Sequence, residues 1–283
     1  MNEDRPPTLP RPPGGPGVTR FATRGGHRLS YESSGATDGI PILGLHDLLA
    51  DRGQLRPLAA ALPQDRFRLT LPDARGHGAS PLISGRAYPV DELVADALTV
   101  LDAEGLSHVH IAAVGWGAAT ALGLAMAAPE RITSLVLAQP FLPTLSGDTA
   151  CLETLRQAAD IAEKGQTDRA LDLYLGMRLG TGWRGGLPQA RLGSMRRAAG
   201  SLTPLLAGTT DALFAKAALE SIDIPVTLLL PRDAPKLQSQ MTDALAALVP
   251  RSRITTVQHE SDALLTFDED RATSLALVFM AKN

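Results

Sequence analysis

At 283 residues, with 44% hydrophobic and 20% charged side chains, the chain suits one large globular α/β domain carrying an insertion and excludes a disordered protein. Its 27 basic and 30 acidic residues leave a formal charge of −3, which argues against a surface built for nucleic acid or anionic membrane. The single cysteine, Cys151, excludes an internal disulfide and a cysteine-rich metal site, and no apolar run reaches the roughly 18 residues of a membrane-spanning helix.

Residues 1–17, with six prolines and three glycines and no apolar signal-peptide core, read as a flexible tail, and the expected location is cytoplasmic. Short strand-like runs at 18–23 and 27–33, parted by Gly25-Gly26, predict a hairpin. The apolar run 40–45 predicts a buried strand ending at His46, followed by a helix near 54–62 that Pro63 stops. A strand at 67–71 leads into the loop 72–80. Asp91 is expected to cap a helix that runs to about Glu104, with Leu93, Val94, Ala97, Leu98 and Leu101 on one face and Gly105 at its end.

The strand expected at 109–114 runs straight into Gly115-Trp116-Gly117 and a helix of small residues, and 132–138 is the next strand. Strand–helix alternation implies parallel strands with right-handed crossovers. Residues 140–222 interrupt it with helical stretches at 149–164, 167–180, 188–199 and 204–220. The rhythm returns with strands at 226–230 and 254–257 and helices at 239–248 and 268–282. The expected organisation is a tail (1–17), a core (18–139 and 223–283) and a helical cap (140–222).

Four segments in this order resemble the α/β-hydrolase superfamily. Leu45-His46-Asp47-Leu48 is similar to its oxyanion segment. Pro72-Asp73-Ala74-Arg75-Gly76-His77-Gly78-Ala79-Ser80 is similar to its Asp-x-Arg-Gly-His-Gly-x-Ser loop, which is structural in the family. Residues 109–137, with Ala128-Pro129-Glu130-Arg131 inside, resemble the nucleophile strand, elbow and helix. Ile224-Pro225-Val226-Thr227-Leu228 resembles the strand that leads to the acid. The resemblance implies the family's fold: a mostly parallel central sheet flanked by helices, with a helical cap insertion.

The same alignment implies a degenerate triad. The family's nucleophile lies fourteen residues before the proline of Pro-Glu-Arg, which is Gly115 here. Glycine has no side chain to form a covalent intermediate. Trp116-Gly117-Ala118 most resembles the epoxide hydrolase and haloalkane dehalogenase branch. Asp262 takes the place of the family's histidine, with His259 three residues earlier, and Asp233 lies one residue before the acid position. Trp116 and Leu48 supply the two backbone N–H groups of an oxyanion hole, while Asp47 stands where glycine is usual and opposes a developing anion.

Three functions are compatible with these residues. One is non-hydrolytic binding of a small, mostly apolar molecule under the cap, by His46, Asp47, Leu48, Gly115 and Trp116. The second is proton transfer by Asp262 or His259, as in isomerases, epimerases or lyases. The third is weak hydrolysis of an ester, epoxide or lactone, with Cys151 as a displaced nucleophile or with directly activated water. No cofactor or metal is implied, the partner is a small molecule rather than nucleic acid or membrane, and the oligomeric state is not encoded in any motif.

Overall fold

In the computed structural model, the alternation of buried strands and amphipathic helices folds into one eight-stranded sheet, described over residues 18–83, 87–180, 182–207, 214–258 and 269–280. Its strands are β1 (Arg20–Arg24), β2 (His27–Gly35), β3 (Ile40–Leu45), β4 (Phe67–Pro72), β5 (Val109–Val114), β6 (Ile132–Ala138), β7 (Val226–Pro231) and β8 (Ser252–Val257). They lie in the order β1-β2-β4-β3-β5-β6-β7-β8. The β1–β2 and β2–β4 pairs are antiparallel and the rest parallel.

The central strands β4 and β5 are buried at every residue, because helices cover the sheet on both faces there. On one face, α2 (Val90–Glu104), α3 (Gly117–Ala127), α8 (Lys216–Glu220) and α9 (Lys236–Leu248) pack through Val94, Leu101, Leu122, Leu219 and Leu245. On the other, α1 (Arg56–Ala61) and α10 (Glu269–Met280) contribute Leu58, Leu275 and Phe279. No described helix is long and apolar enough to cross a membrane.

Between β6 and β7 come α4 (Thr149–Glu163), α5 (Thr167–Leu179), α6 (Gln189–Ala198) and α7 (Leu202–Ala207), ahead of α8. Their apolar faces close over the loops at the carboxyl ends of the strands. Leu155, Leu171, Tyr174, Met195 and Leu202 share one cluster with Leu48, Leu49, Trp116 and Phe141.

Three local expectations change. Asp91 does not cap α2. Pro89, extended at φ −62° and ψ 159°, holds the N-cap, and Asp91 sits inside the first turn, where the helix dipole favours an acid. The single helix expected over 204–220 is replaced by α7 and α8, since Ala215 is extended (φ −61°, ψ 143°) and restarts the helix; residues 208–213 lie outside the described set. Helix α9 begins at Lys236, three residues early, because Pro235 already presets the entry angle.

The loop after β4 is wound around Asp73. Its carboxylate accepts from the Ser30 hydroxyl (2.5 Å) and from the N–H groups of Arg52 (2.8 Å) and Ala79 (2.9 Å). A Cβ on Gly78, which holds φ +53°, would fall 2.3 Å from that carboxylate, so the wrap needs glycine. Arg75 grips Asp96 through two bonds of 2.7 and 2.6 Å. His77 joins this loop to its neighbours. Its Nδ1 lies 3.0 Å from the Arg75 carbonyl, and its Nε2 accepts the Leu49 N–H at 3.3 Å and lies 3.1 Å from the Ser201 hydroxyl. The loop is therefore held in place by its own side chains and its neighbours.

Burial, helped by the neighbouring His46, pushes the His77 imidazole down to about 3. Unfolded histidine titrates near about 6.5, so below that pH the unfolded chain binds a proton that the folded chain refuses. The His77 contribution is complete above about pH 6.5 and is lost progressively as the pH falls toward 3. The expected slope is about 1.4 kcal/mol per pH unit between pH 6 and 4. Denaturant unfolding at pH 7.5, 6, 5 and 4.5 should show His77→Gln less stable at pH 7.5 and flatter by that slope. Equal slopes for the two proteins would contradict the neutral, buried His77.

Candidate functional site at the strand-to-helix elbow

Ligands of open α/β sheets bind at the carboxyl ends of the strands. There, β5 ends at Val114, Gly115 turns at φ +53°, and Trp116 is the N-cap of α3. Gly115 donates its N–H to the Ala138 carbonyl (3.1 Å) and accepts from the N–H groups of Phe141 (3.0 Å) and Ala118 (3.2 Å). A Cβ on Gly117 would fall 2.5 Å from the Leu45 carbonyl oxygen, so α3 and β3 approach closely. Leu49 (φ 64°) and Gln139 (φ 47°), on the loops after β3 and β6, also adopt left-handed backbone that non-glycine residues reach only with strain.

The Asp47 carboxylate occupies the space that a nucleophilic side chain would need. Oδ1 accepts the Leu48 N–H at 2.8 Å and the Trp116 N–H at 2.9 Å. These are the two backbone positions that the sequence assigns to the oxyanion hole. A Cβ on Gly115 would lie 2.1 Å from the Asp47 Cγ and Oδ2. The sequence suggested a carboxylate that merely opposes a developing anion. In the fold it fills the hole.

The charge is met from the helical segment. Arg178 Nη1 donates to Asp47 Oδ2 at 2.9 Å and to the Tyr174 hydroxyl at 3.1 Å. The Trp116 indole N–H donates to the same hydroxyl at 3.0 Å. The Arg178 guanidinium also lies 4.5 Å from the centre of the Phe141 ring. Asp47 is fully buried and the Arg178 side chain is 2% exposed. A buried carboxylate persists only with such compensation: two N–H groups, one of them at a helix N-terminus, and a guanidinium. Burial pushes the Tyr174 hydroxyl well above the usual phenolic range, so it stays neutral.

The other residues singled out by the sequence fall as follows. His46 is buried; its Nε2 accepts the Ala74 N–H at 2.9 Å and its Nδ1 lies 2.7 Å from the Asp47 carbonyl oxygen, which fixes the turn before Leu48. Trp116 packs on Phe141 at 5.7 Å between ring centres. Asp233 is exposed in the turn after β7 and makes no hydrogen bond or ion pair with any described residue. His259 and Asp262 lie outside the described residues. Cys151 is buried in the cluster under α4, and burial, with Asp148 nearby, raises its thiol to about 11, so it is no ready nucleophile. His110 is buried against Ser134 (2.8 Å) and His108 is exposed; both sit near the start of β5, away from its carboxyl end. Among the described residues, no group of three or more His, Cys, Asp or Glu is placed to hold a metal ion.

Two cavities lie near this site. One of about 50 Å³ is lined by His46, Asp73, Ala74, Leu93, Gly117 and Thr120. The other, of about 370 Å³, is polar and runs between the loops after β3 and β4 and α6, with Asp51, Arg52, Arg56, Ser194 and Arg197 on its walls. Asp47, Gly115 and Trp116 line neither.

Arg178 and Tyr174 escaped the sequence reading, although a signal was present. Leu171, Tyr174, Leu175 and Arg178 recur at helical spacing on the apolar face of α5. An arginine on that face demands a buried acidic partner.

Gly115 and Asp47 therefore exclude each other's ordinary alternatives. Gly115→Ser should destabilise the protein by about 3 kcal/mol or more, combining left-handed strain with the steric overlap. Asp47→Gly should cost about 3–5 kcal/mol by removing one partner of a buried ion pair. The double variant should be more stable than the sum of the two by at least about 1 kcal/mol, measured by denaturant unfolding. Additive effects would show that the two residues do not compete for the same space.

Comparison with known proteins supports the fold. The family described as alpha/beta hydrolase fold matches residues 40–167. A proline iminopeptidase of Neisseria gonorrhoeae is 32% identical over 124 residues, 41% of this chain and 37% of that protein, so the chain spans less than half the length of that relative. Among solved structures, a thermophilic esterase from Thermogutta terrifontis superposes with a TM-score of 0.77 at 18% identity, covering 95% of this chain and 99% of that one. The enol-lactonase of Burkholderia xenovorans LB400 gives 0.73 at 18% identity, covering 93% and 100%. With the mostly parallel eight-stranded sheet, the elbow at Gly115 and the family match over residues 40–167, just under half of its length, the chain has the α/β-hydrolase fold.

Proposed function

We propose that this protein is a non-hydrolytic member of the superfamily, whose former catalytic centre has become the buried anchor of a helical cap over residues 140–222. The observation that carries this reading is the Asp47 carboxylate bound to the Leu48 and Trp116 N–H groups. A hydrolase needs those donors free for the tetrahedral oxyanion. Here their acceptor is already in place, negatively charged, and pinned by Arg178. Gly115 offers no nucleophile, and restoring one meets the same carboxylate.

A ligand role remains open to the cap–core boundary. The cavity of about 370 Å³ there is polar, with Arg52, Arg56 and Arg197 among its walls. We therefore propose a small molecule with polar groups, in place of the mostly apolar one that a cap-covered pocket suggested.

Hydrolysis is the rival reading, supported by relatives and neighbours named as a proline iminopeptidase, an esterase and an enol-lactonase. When a triad is lost, the hole and substrate binding alone leave roughly 10³–10⁴ over water. With the hole filled, even that residual should vanish. The purified protein should turn over nitrophenyl esters, lactones, epoxides and aminoacyl anilides no faster than buffer, and Gly115→Ser should not restore activity. Hydrolysis that tracks the protein through purification and disappears in Asp233→Asn, His259→Ala or Asp262→Asn would overturn the reading. Exchange of substrate hydrogen for solvent deuterium with no other change in composition, lost in Asp262→Asn, would instead point to proton transfer.

A further inference from the structure

We infer that the Leu48 N–H, the Trp116 N–H and the Arg178 guanidinium form a complete carboxylate-binding site, occupied by the chain's own Asp47, which accepts free formate once residue 47 carries no carboxylate. The inference rests on the self-occupied reading of the elbow and adds a ligand class to it.

The geometry is that of a receptor for a planar, two-oxygen anion. Two donors converge on Oδ1 at 2.8 and 2.9 Å, and one reaches Oδ2 at 2.9 Å. Charge-assisted bonds of this length are the strong class. Trp116 adds the positive end of α3, a helix of 11 residues. Arg191 on α6 interacts electrostatically with Asp47 and adds to the positive potential, while Asp51 acts against it.

The donors also have holds other than the Asp47 side chain. The Asp47 N–H is tied to Gln54 Oε1 at 2.8 Å, and its carbonyl accepts the Ala50 N–H at 3.1 Å. The Trp116 backbone is fixed by the Ala119 N–H at 3.0 Å. Arg178 is held against Phe141 and the Tyr174 hydroxyl. Truncating Asp47 to alanine thus leaves three oriented donors around a space the size of one carboxylate group. Formate, the smallest carboxylate, comes nearest to fitting that space, shifted outward from the remaining Cβ. Acetate carries an extra methyl, which points at the remaining Cβ. Chloride satisfies the charge but cannot span both oxygen positions.

The test is thermal unfolding of Asp47→Ala in sodium formate, sodium acetate and sodium chloride at equal ionic strength. Saturating formate should raise its Tm by about 3–6 °C over chloride, following a binding isotherm, with acetate weaker. The parent protein should respond to formate and chloride alike. Asp47→Ala/Arg178→Met should lose the formate effect. If Asp47→Ala does not fold in chloride, refolded yield becomes the readout, and recovery in formate but not chloride supports the site. Equal behaviour in the two salts, including failure to fold in both, overturns it. Ester hydrolysis by the parent protein would remove the non-hydrolytic reading without touching this result, so the two can fail separately.

Discussion

One buried charge organises the centre of this molecule. The Asp47 carboxylate lies at the carboxyl ends of β3 and β5, where loop, elbow and helical segment meet, and water does not reach it. Every neighbour is accounted for by the need to hold it. Leu48 and Trp116 point their N–H groups at one oxygen, and Arg178 supplies the counter-charge at the other. Gly115 makes room. Leaving any of these groups unmatched in the interior would cost several kcal/mol, so they form a mutually dependent set.

The arrangement also explains how the helical segment is held. Its apolar faces supply area, but area is non-directional and tolerates sliding. The bonds from Arg178 to Asp47 and from the Trp116 indole to Tyr174 have fixed lengths and directions, and they set where α5 sits on the core. The His77–Ser201 contact adds a second such point at the other side of the helical segment. Buried polar bonds of this kind confer register more than net stability.

Much of the fold was legible in the sequence because it depends on local period and on short, ordered signals. The strand–helix alternation, the fourteen-residue spacing from Gly115 to Pro129 and the Asp73–Ser80 loop all lie within a few tens of residues. That the Leu48 and Trp116 N–H groups converge on one point was legible for the same reason. The destination of Asp47 was not, since its partner Arg178 is 131 residues away and is brought near only by the packing of α5. Without that partner a buried aspartate at the hole looked merely unfavourable. The start of α2 was misread because an acid in the first turn and an acid at the cap look alike in sequence, and only backbone angles separate them.

The overlap between a Cβ at position 115 and the Asp47 carboxylate has an evolutionary corollary. A single mutation that returns a nucleophile to position 115 collides with Asp47, and one that first removes Asp47 strands Arg178 in the interior. Each single step that would install a side-chain nucleophile at position 115 therefore passes through a less stable intermediate. Such sign epistasis ties glycine, aspartate and arginine together, so that no single exchange among the three escapes a loss of stability.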